Sequence, residues 1–394
     1  MSMTRHAVLG RLSSVVIRWR AIDRGSDQRV DVSPAAALAI IIASMHLPRA
    51  IGVLMVLAVL VGCGAGASAI AGVNPSAAAS AASATPAGAN PSAAGTPAAS
   101  QLSLVAEPQA GLRPFATLIG SARHSIELTM YELSDRTVEQ DLAAAAARGV
   151  DVRVALNGGY YSERSSDNDA AYAYLSAHHV HVRDTPTYFA LTHQKTLTVD
   201  GDVAAIMTLN FDGQYVSTRD YAILDRRAAD VHAIVAVFDD DWAGRRDTPG
   251  EGSGDLVWSP GAEQDVLGLI EHARHSIALE DEELAYTPAI AALCADARRG
   301  VTVQIVMTYA SDWRDAFARL RGCGASIRLY HGQSYYIHAK LLIADGATAL
   351  VSSQNLSTGS LEDNRELGIT VTDPAIVAAL EGDFRSDYAG GQTS

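Results

Sequence analysis

Two short segments of this chain carry residue types that can do phosphorus chemistry. His193-Gln194-Lys195 is followed five residues on by Asp200, and His338-Ala339-Lys340 is followed five residues on by Asp345. Lys195 and Lys340 are the only lysines in 394 residues; the other 28 basic side chains are arginine. A chain that keeps lysine only at one repeated spacing has a use there for a compact ammonium rather than a planar guanidinium fork. Seventeen residues after each histidine comes an asparagine, Asn210 and Asn355, preceded two positions earlier by Thr208 and Ser353. Two imidazoles, two ammonium groups and two carboxamides at matched positions suit a phosphodiester. Lysine and asparagine would hold the non-bridging oxygens through charge-assisted hydrogen bonds and stabilise charge in the transition state. One histidine can attack phosphorus while the other protonates the leaving alkoxide and then activates water. The lysines supply the positive charge, so neither a metal nor another cofactor is required.

The elements that must position these groups come in two copies. Arg123-His124-Ser125-Ile126-Glu127-Leu128 recurs 151 positions later as Arg274-His275-Ser276-Ile277-Ala278-Leu279, and Arg148-Gly149-Val150 recurs as Arg299-Gly300-Val301. The histidines are 145 apart, a difference a loop can absorb, so a whole half is duplicated. Each half reads as a strand (125–131; 276–284), then a helix with apolar residues at helical spacing. These are Val138, Leu142, Ala145 and Ala146 in the first half, and Ile290, Leu293, Cys294 and Ala297 in the second. A glycine stop and a buried strand follow (150–156; 301–307). Strand, helix, strand in that order predicts parallel pairing in a covered sheet. The motif strands are predicted at 194–199 and 339–343, where side chains two apart share a face, so each histidine points with its lysine. Ala339, Leu341 and Ile343 alternate with the second pair and predict a buried opposite face.

With these residues in hand, the chain resembles the phospholipase D superfamily, whose signature is His-x-Lys with an aspartate five residues on, then Gly-Ser-x-Asn. The resemblance covers essentially all of 102–394. It implies a duplicated α/β sandwich with two pseudo-symmetric halves (102–247 and 248–394) and one active site at their interface. By position, His193 would be the nucleophile that forms a phosphohistidine and His338 the general acid and base. Thr208 and Ser353 would contact substrate, and Asp200 and Asp345 would hold the loop behind each motif. Glu366, in Asn364-Arg365-Glu366, sits where the family places a carboxylate that orients a catalytic histidine. The first half offers Asp220, one residue earlier and one methylene shorter, which bears on the orientation of His193. The glycine of the signature is replaced by Met207 and Ser352.

Other candidates are weaker. His178-His179-x-His181 lacks the carboxylate or cysteine spacing of a metal site and reads as a loop entering a strand. Glu280-Asp281-Glu282-Glu283 reads as a solvated acidic loop, although Glu132 and Glu283 share a repeat position. Cys294 and Cys323 read as two small buried thiols.

Charge and the N-terminus narrow the function. From Met45 the chain has a basic start, an apolar stretch from Ile51 to Val61, and Leu60-Val61-Gly62-Cys63, which resembles a bacterial lipobox acylated at Cys63. Residues 1–44 then read as an untranslated or disordered extension, 45–63 as the signal segment, and 64–101, rich in Ala, Ser and Pro, as a tether. The net charge is −14, and residues 63–394 carry −18 of it against +4 before them. That balance disfavours a stable nucleic-acid partner. The expectation is an exported, lipid-anchored monomer that hydrolyses the head-group bond of a phospholipid and leaves phosphatidic acid. A transferase of the cardiolipin-synthase type and a nuclease are the alternatives. Head-group choice would lie in loops such as 158–169 and 309–314.

Overall fold

The computed structural model describes residues 15–20, 27–32, 100–160, 163–212, 217–246, 249–250, 252–332 and 334–393. The chain divides into two compact units, 1–92 and 93–394. In the first, an antiparallel pair is described, β1 (Val15–Arg20) with β2 (Asp27–Val32), inside the stretch for which no structure is expected from sequence. The signal segment with Cys63, and the tether up to residue 99, lie outside the described residues. Among the described residues no helix is long and apolar enough to cross a membrane.

The second unit is built from two sheets of one plan. Its first half runs β3 (Leu102–Glu107), α1 (Arg113–Ser121), β4 (Ser125–Met130), α2 (Arg136–Ala147), β5 (Asp151–Leu156), the small pair β6 (Gly159–Tyr160) and β7 (Glu163–Arg164), α3 (Asp169–Ala177), β8 (His181–Asp184), β9 (Thr196–Val199), β10 (Val203–Met207), β11 (Thr218–Asp225) and α4 (Ala228–Trp242). The second runs β12 (Leu256–Ser259), α5 (Glu263–Glu271), β13 (Ser276–Glu280), α6 (Thr287–Arg298), β14 (Thr302–Thr308), α7 (Arg314–Cys323), β15 (Ser326–Tyr330), β16 (Tyr336–Ile337), β17 (Leu341–Ala344), β18 (Thr348–Ser352), β19 (Glu366–Val371) and α8 (Pro374–Gly390). Local signals set these boundaries. Asp135 caps α2 by accepting from the backbone N–H of Thr137 and Val138. Gly149 (φ 91°) and Gly300 (φ 95°) turn the chain out of α2 and α6 in a conformation that suits glycine.

In sheet one, β4, β5 and β8 are parallel, while β9, β10 and β11 join antiparallel on the other side of β4. Sheet two repeats this with β13, β14 and β15 parallel and β17, β18 and β19 antiparallel. The strand–helix–strand units pair in parallel as their order requires, and the motif strands β9 and β17 make both sheets mixed.

Five layers result. Helices α1–α3 cover the outer face of sheet one with Phe115, Leu142 and Leu175, and α5–α7 cover sheet two with Ile270, Leu293 and Leu320. Between the sheets, Ile206, Tyr221 and Ile223 meet Leu341, Ile343, Val351 and Ile369, with Val231 of α4 and Leu380 of α8 alongside. Burying each such aliphatic side chain contributes about 1.5–3 kcal/mol. A site at this seam therefore rests on a shared core. Cys294 of α6 and Cys323 at the end of α7 form a disulfide, with Cα atoms 5.2 Å apart. From sequence the two read as small buried thiols, with a bridge between them left open. The packing of α7 against α6 brings the pair within bridging reach, which their separation of 29 residues cannot reveal.

Candidate active site

The backbone crosses between halves at both histidines. β16 leaves the second half and pairs in parallel with Thr218–Arg219 of β11, so the N–H groups of His338 and Ala339 donate to Arg219 O at 3.2 and 2.8 Å. Reciprocally, Thr192 bridges Arg365, and the N–H groups of His193 and Gln194 donate to Arg365 O at 2.9 and 3.0 Å. These amides serve the opposite half, so His-x-Lys precedes β9 and β17 instead of lying on them as the sequence predicts. The carbonyls of Lys195 and Lys340 rejoin the sheet by accepting from Met207 and Ser352.

Each crossing sets a histidine beside the carboxylate that follows an arginine of the other half. His193 Nδ1 lies 3.0 Å from Glu366 Oε2 and 3.1 Å from Ser353 O. His338 Nδ1 lies 2.8 Å from Asp220 Oδ1. Asp220 therefore orients His338, and the expectation that it bears on His193 of its own half is corrected. An Nδ1–H donated to a carboxylate leaves Nε2 as the reacting nitrogen of the neutral ring. Burial alone would raise the pKa of Glu366, but His193 and Lys195 outweigh it and hold it low. Asp220 is likewise held low, with burial opposed by His338, Lys340 and the Thr208 hydroxyl.

Two further ion pairs, unread in the sequence, lock the crossing strands. Arg219 Nε meets Asp387 of α8 at 2.5 Å, and Arg365 Nε meets Asp241 of α4 at 2.9 Å. Both reach across the seam. The signal was present: Phe238-x-x-Asp241-Trp-Ala-Gly recurs as Phe384-x-x-Asp387-Tyr-Ala-Gly, at the 146-residue offset that also separates Arg219 from Arg365.

The lysines are buried beside the histidines. Lys195 Nζ donates to His193 O at 2.7 Å and Lys340 Nζ to His338 O at 2.6 Å. What faces them differs. Lys195 Nζ is 5.0 Å from the centroid of the Tyr131 ring, which also meets His193 edge to face at 4.7 Å. Lys340 Nζ donates to Glu282 Oε2 at 3.0 Å, and that oxygen is 3.6 Å from His338 Nε2. Tyr131 and Glu282 are equivalent by the 151-residue repeat. The segment Glu280–Glu283 is therefore no solvated loop. β13 ends at Glu280, which has no exposed surface, Asp281 is 2% exposed, and Glu282 points into the site.

The electrostatics differ accordingly. Burial first and then Lys195 lower the pKa of His193, against the raising effect of Glu366, which keeps its imidazole neutral. Burial would lower the pKa of Lys340, but Glu282, Asp220 and Asp281 together raise it. Glu282 is held far below the ordinary carboxylate range, since Lys340 and His338 outweigh its burial.

The family model described as cardiolipin synthase, PLD-like domain, matches residues 115–242 and 266–388. The chain belongs to the phospholipase D superfamily. It is 25% identical over 340 residues to cardiolipin synthase A of Klebsiella pneumoniae, covering 73% of this chain and 69% of that one. Among solved structures, the phosphatidylserine synthase of Haemophilus influenzae shares the fold with a TM-score of 0.57 at 13% identity, over 73% of this chain and 85% of that one. A polyphosphate kinase of Porphyromonas gingivalis does so with a TM-score of 0.55 at 16% identity, over 73% of this chain; the match spans half of the kinase chain.

This phospholipase D-like chain is thus an enzyme of phosphodiester chemistry. Its remaining motif residues fall into two groups. Asn210 shares a cavity wall with His338, Asn355 is buried, and neither carboxamide Oδ1 finds a partner among the described residues. Thr208 and Ser353, expected from the resemblance to touch substrate, are turned into the fold and have no exposed surface. The Thr208 hydroxyl donates to Asp220 Oδ1 at 2.5 Å and accepts from Tyr221 N–H, while that of Ser353 accepts from Leu367 N–H at 3.1 Å. They brace the orienting strands. Asp200 and Asp345 (both φ 56°) accept backbone N–H groups of Arg123, His124 and Ser125, and of Arg274, His275 and Ser276. Each ties the turn after its motif strand to the start of the adjacent strand. Among the described residues no group of three His, Cys, Asp or Glu side chains is arranged to hold a metal ion.

Proposed function

We propose that this enzyme is a phosphatidyltransferase: it moves a phosphatidyl group from one alcohol to another through a phosphohistidine on His193. The observation that carries the reading is the pair of histidines, each with Nδ1 held by the other half's carboxylate, above two buried lysines. Likeness to proteins named as cardiolipin and phosphatidylserine synthases favours transfer over the hydrolysis suggested by the sequence.

The steps follow from the side chains. Neutral His193 Nε2 attacks phosphorus, the bond to the head-group oxygen breaks, and that oxygen takes a proton from His338 Nε2. A second alcohol then gives its proton to His338 and attacks phosphorus, and the bond to His193 breaks. Lys195, Lys340 and the Asn210 and Asn355 amides bind the non-bridging oxygens as charge builds on them. The carboxylate of Glu282 lies 3.6 Å from His338 Nε2, the atom that carries the transferred proton in this scheme. On this reading the protein is exported and anchored through Cys63; the disulfide supports an oxidising compartment. The charge of −18 after residue 62 weighs against a nuclease.

The test uses the full-length protein with phospholipid vesicles, with and without a primary alcohol. Phosphatidyl-alcohol should form, with a ³²P-labelled enzyme intermediate that His193→Ala abolishes. Phosphatidic acid alone at saturating alcohol would restore the hydrolase, and cleavage of a single-stranded oligonucleotide without lipid turnover would make the enzyme a nuclease.

A further inference from the structure

We propose that the cavity beside His338 receives the alcohol half of the phosphodiester and selects a small alcohol bearing a primary ammonium group, of the ethanolamine kind. The proposal rests on the transfer reading above and adds the class of alcohol.

The cavity, about 280 Å³, has His338 in its wall and is framed by Glu107, Asp135, Asn210, Asp212 and Thr218. His193 is not among the residues that line it. In a double displacement the departing and the entering alcohol both exchange a proton with the same group, so both occupy the same place. If His338 is that group, its cavity is where the alcohol sits.

The lining sets the chemistry. Among the described residues the wall carries no basic side chain apart from His338, whereas four carboxylates line it, those of Glu107, Asp135, Asp212 and Asp220. Several of them are engaged: Asp220 with His338, and Asp135 with the first turn of α2. Glu107 is different. It is 7% exposed, its Oε2 accepts from Gly111 N–H at 2.8 Å, and its Oε1 has no hydrogen-bond partner among the described residues. Burial first, with Asp220 adding to it, raises the pKa of Glu107 against the lowering effects of the Gly111 N–H and of Arg219. Asn210 Oδ1, also in the wall, is a second acceptor without a partner among the described residues. An incoming cation with N–H donors answers both deficits. A quaternary ammonium does not, because it has no N–H and, among the described residues, none of the lining side chains is an aromatic ring to face it. A primary ammonium offers three donors to the acceptors present. A polyol can donate to them as well, but it brings no charge to a wall of carboxylates.

The measurement is head-group discrimination by the full-length enzyme on matched vesicles of phosphatidylethanolamine, phosphatidylglycerol and phosphatidylcholine. The ethanolamine lipid should lead in kcat/KM by about tenfold, as befits one charge-assisted hydrogen bond. Glu107→Gln keeps an oxygen for Gly111 N–H and should bring the three lipids together, mainly through KM for the ethanolamine lipid. Equal rates in the wild type, or a preference for choline or glycerol, would overturn the proposal. If no lipid is turned over, the transfer reading fails and binding decides the pocket. Saturation-transfer NMR with free ethanolamine, choline and glycerol should then show ethanolamine favoured, and the preference lost in Glu107→Gln. Equal binding of the three overturns it. Asp212→Asn serves in the same assays if circular dichroism shows Glu107→Gln unfolded.

Discussion

Lys195 and Lys340 occupy matching places in the two halves, yet one faces the ring of Tyr131 and the other the carboxylate of Glu282. The scaffold around them is duplicated down to single hydrogen bonds, including the crossing strands, the Arg219–Asp387 and Arg365–Asp241 pairs, and the aspartates behind each motif. One side chain at the end of the first strand of each unit separates the halves chemically. In the first, burial and then Lys195 lower the pKa of His193, and in the second a carboxylate faces both Lys340 and His338. A symmetric frame thus gives its two histidines different surroundings, which fits the division into nucleophile and proton donor proposed above.

The largest expected effect tests that division. His193→Ala should cost roughly 10⁴–10⁶-fold in kcat on every substrate, because the covalent step is lost. His338→Ala should cost roughly 10²–10⁴-fold on a natural lipid, the usual contribution of a general acid, and recover most of it on an ester with a p-nitrophenol leaving group. Equal losses on the activated ester would erase the distinction between the halves.

The crossing of the carboxylates comes next. Asp220→Asn and Glu366→Gln should each lower kcat by roughly 10²–10⁴-fold through a mis-set tautomer. In proton NMR, Asp220→Asn should move the downfield Nδ1–H resonance of His338 and spare that of His193, while Glu366→Gln does the reverse. The opposite pattern would contradict the geometry.

Exchanging the differing side chain should shift pH profiles. Tyr131→Glu places a carboxylate by His193 and raises its pKa from the lowered value. The acid limb of kcat/KM then moves to higher pH, with a loss near neutrality of roughly tenfold per unit. Glu282→Gln removes the chief influence that raises Lys340, so the alkaline limb moves to lower pH. Unmoved limbs in both variants would deny these side chains their part.

Stability separates the halves once more. Only the second half has a disulfide among the described residues, and Cys294→Ser should destabilise by about 2–4 kcal/mol in thermal or urea unfolding. Hydrogen exchange should quicken in α6 and α7 and not in α2 and α3. The smallest effect concerns a point of agreement. Asp200 and Asp345 both have lowered pKa values, since backbone N–H groups outweigh burial. Asn at either position should cost about 1 kcal/mol at neutral pH. That contribution is present above the ordinary aspartate pKa and is lost as pH falls through the lowered folded value, so variants and wild type should converge in acid.

Much of this was legible because it is periodic or repeated. The lysine economy, the paired histidines and asparagines, the helical apolar spacing of α2 and α6 and the alternation of Ala339, Leu341 and Ile343 pointed to a duplicated α/β fold built around one phosphodiester site. Such patterns are written in adjacent residues, where backbone geometry converts spacing directly into a shared face. Partnership across the seam is not written that way. Nothing near residue 220 says that its carboxylate serves His338, or that the Thr208 hydroxyl braces it instead of meeting substrate. Asp281 and Glu282 look solvated in a run of four acids, yet β13 stops one residue before them and the chain turns inward. The Cys294–Cys323 bridge depends on how α7 lies on α6. These assignments come from distances between segments that lie 12 (Thr208–Asp220), 58 (Glu282–Lys340) or 118 (Asp220–His338) residues apart, or from helix packing, and burial then decides which charges count. The sequence by itself determined which groups are available to the chemistry and that they come in two sets. Only the tertiary structure decided which carboxylate holds which imidazole and what faces each lysine, because hydrogen bonds and Coulomb forces act over a few ångströms whatever the separation along the chain.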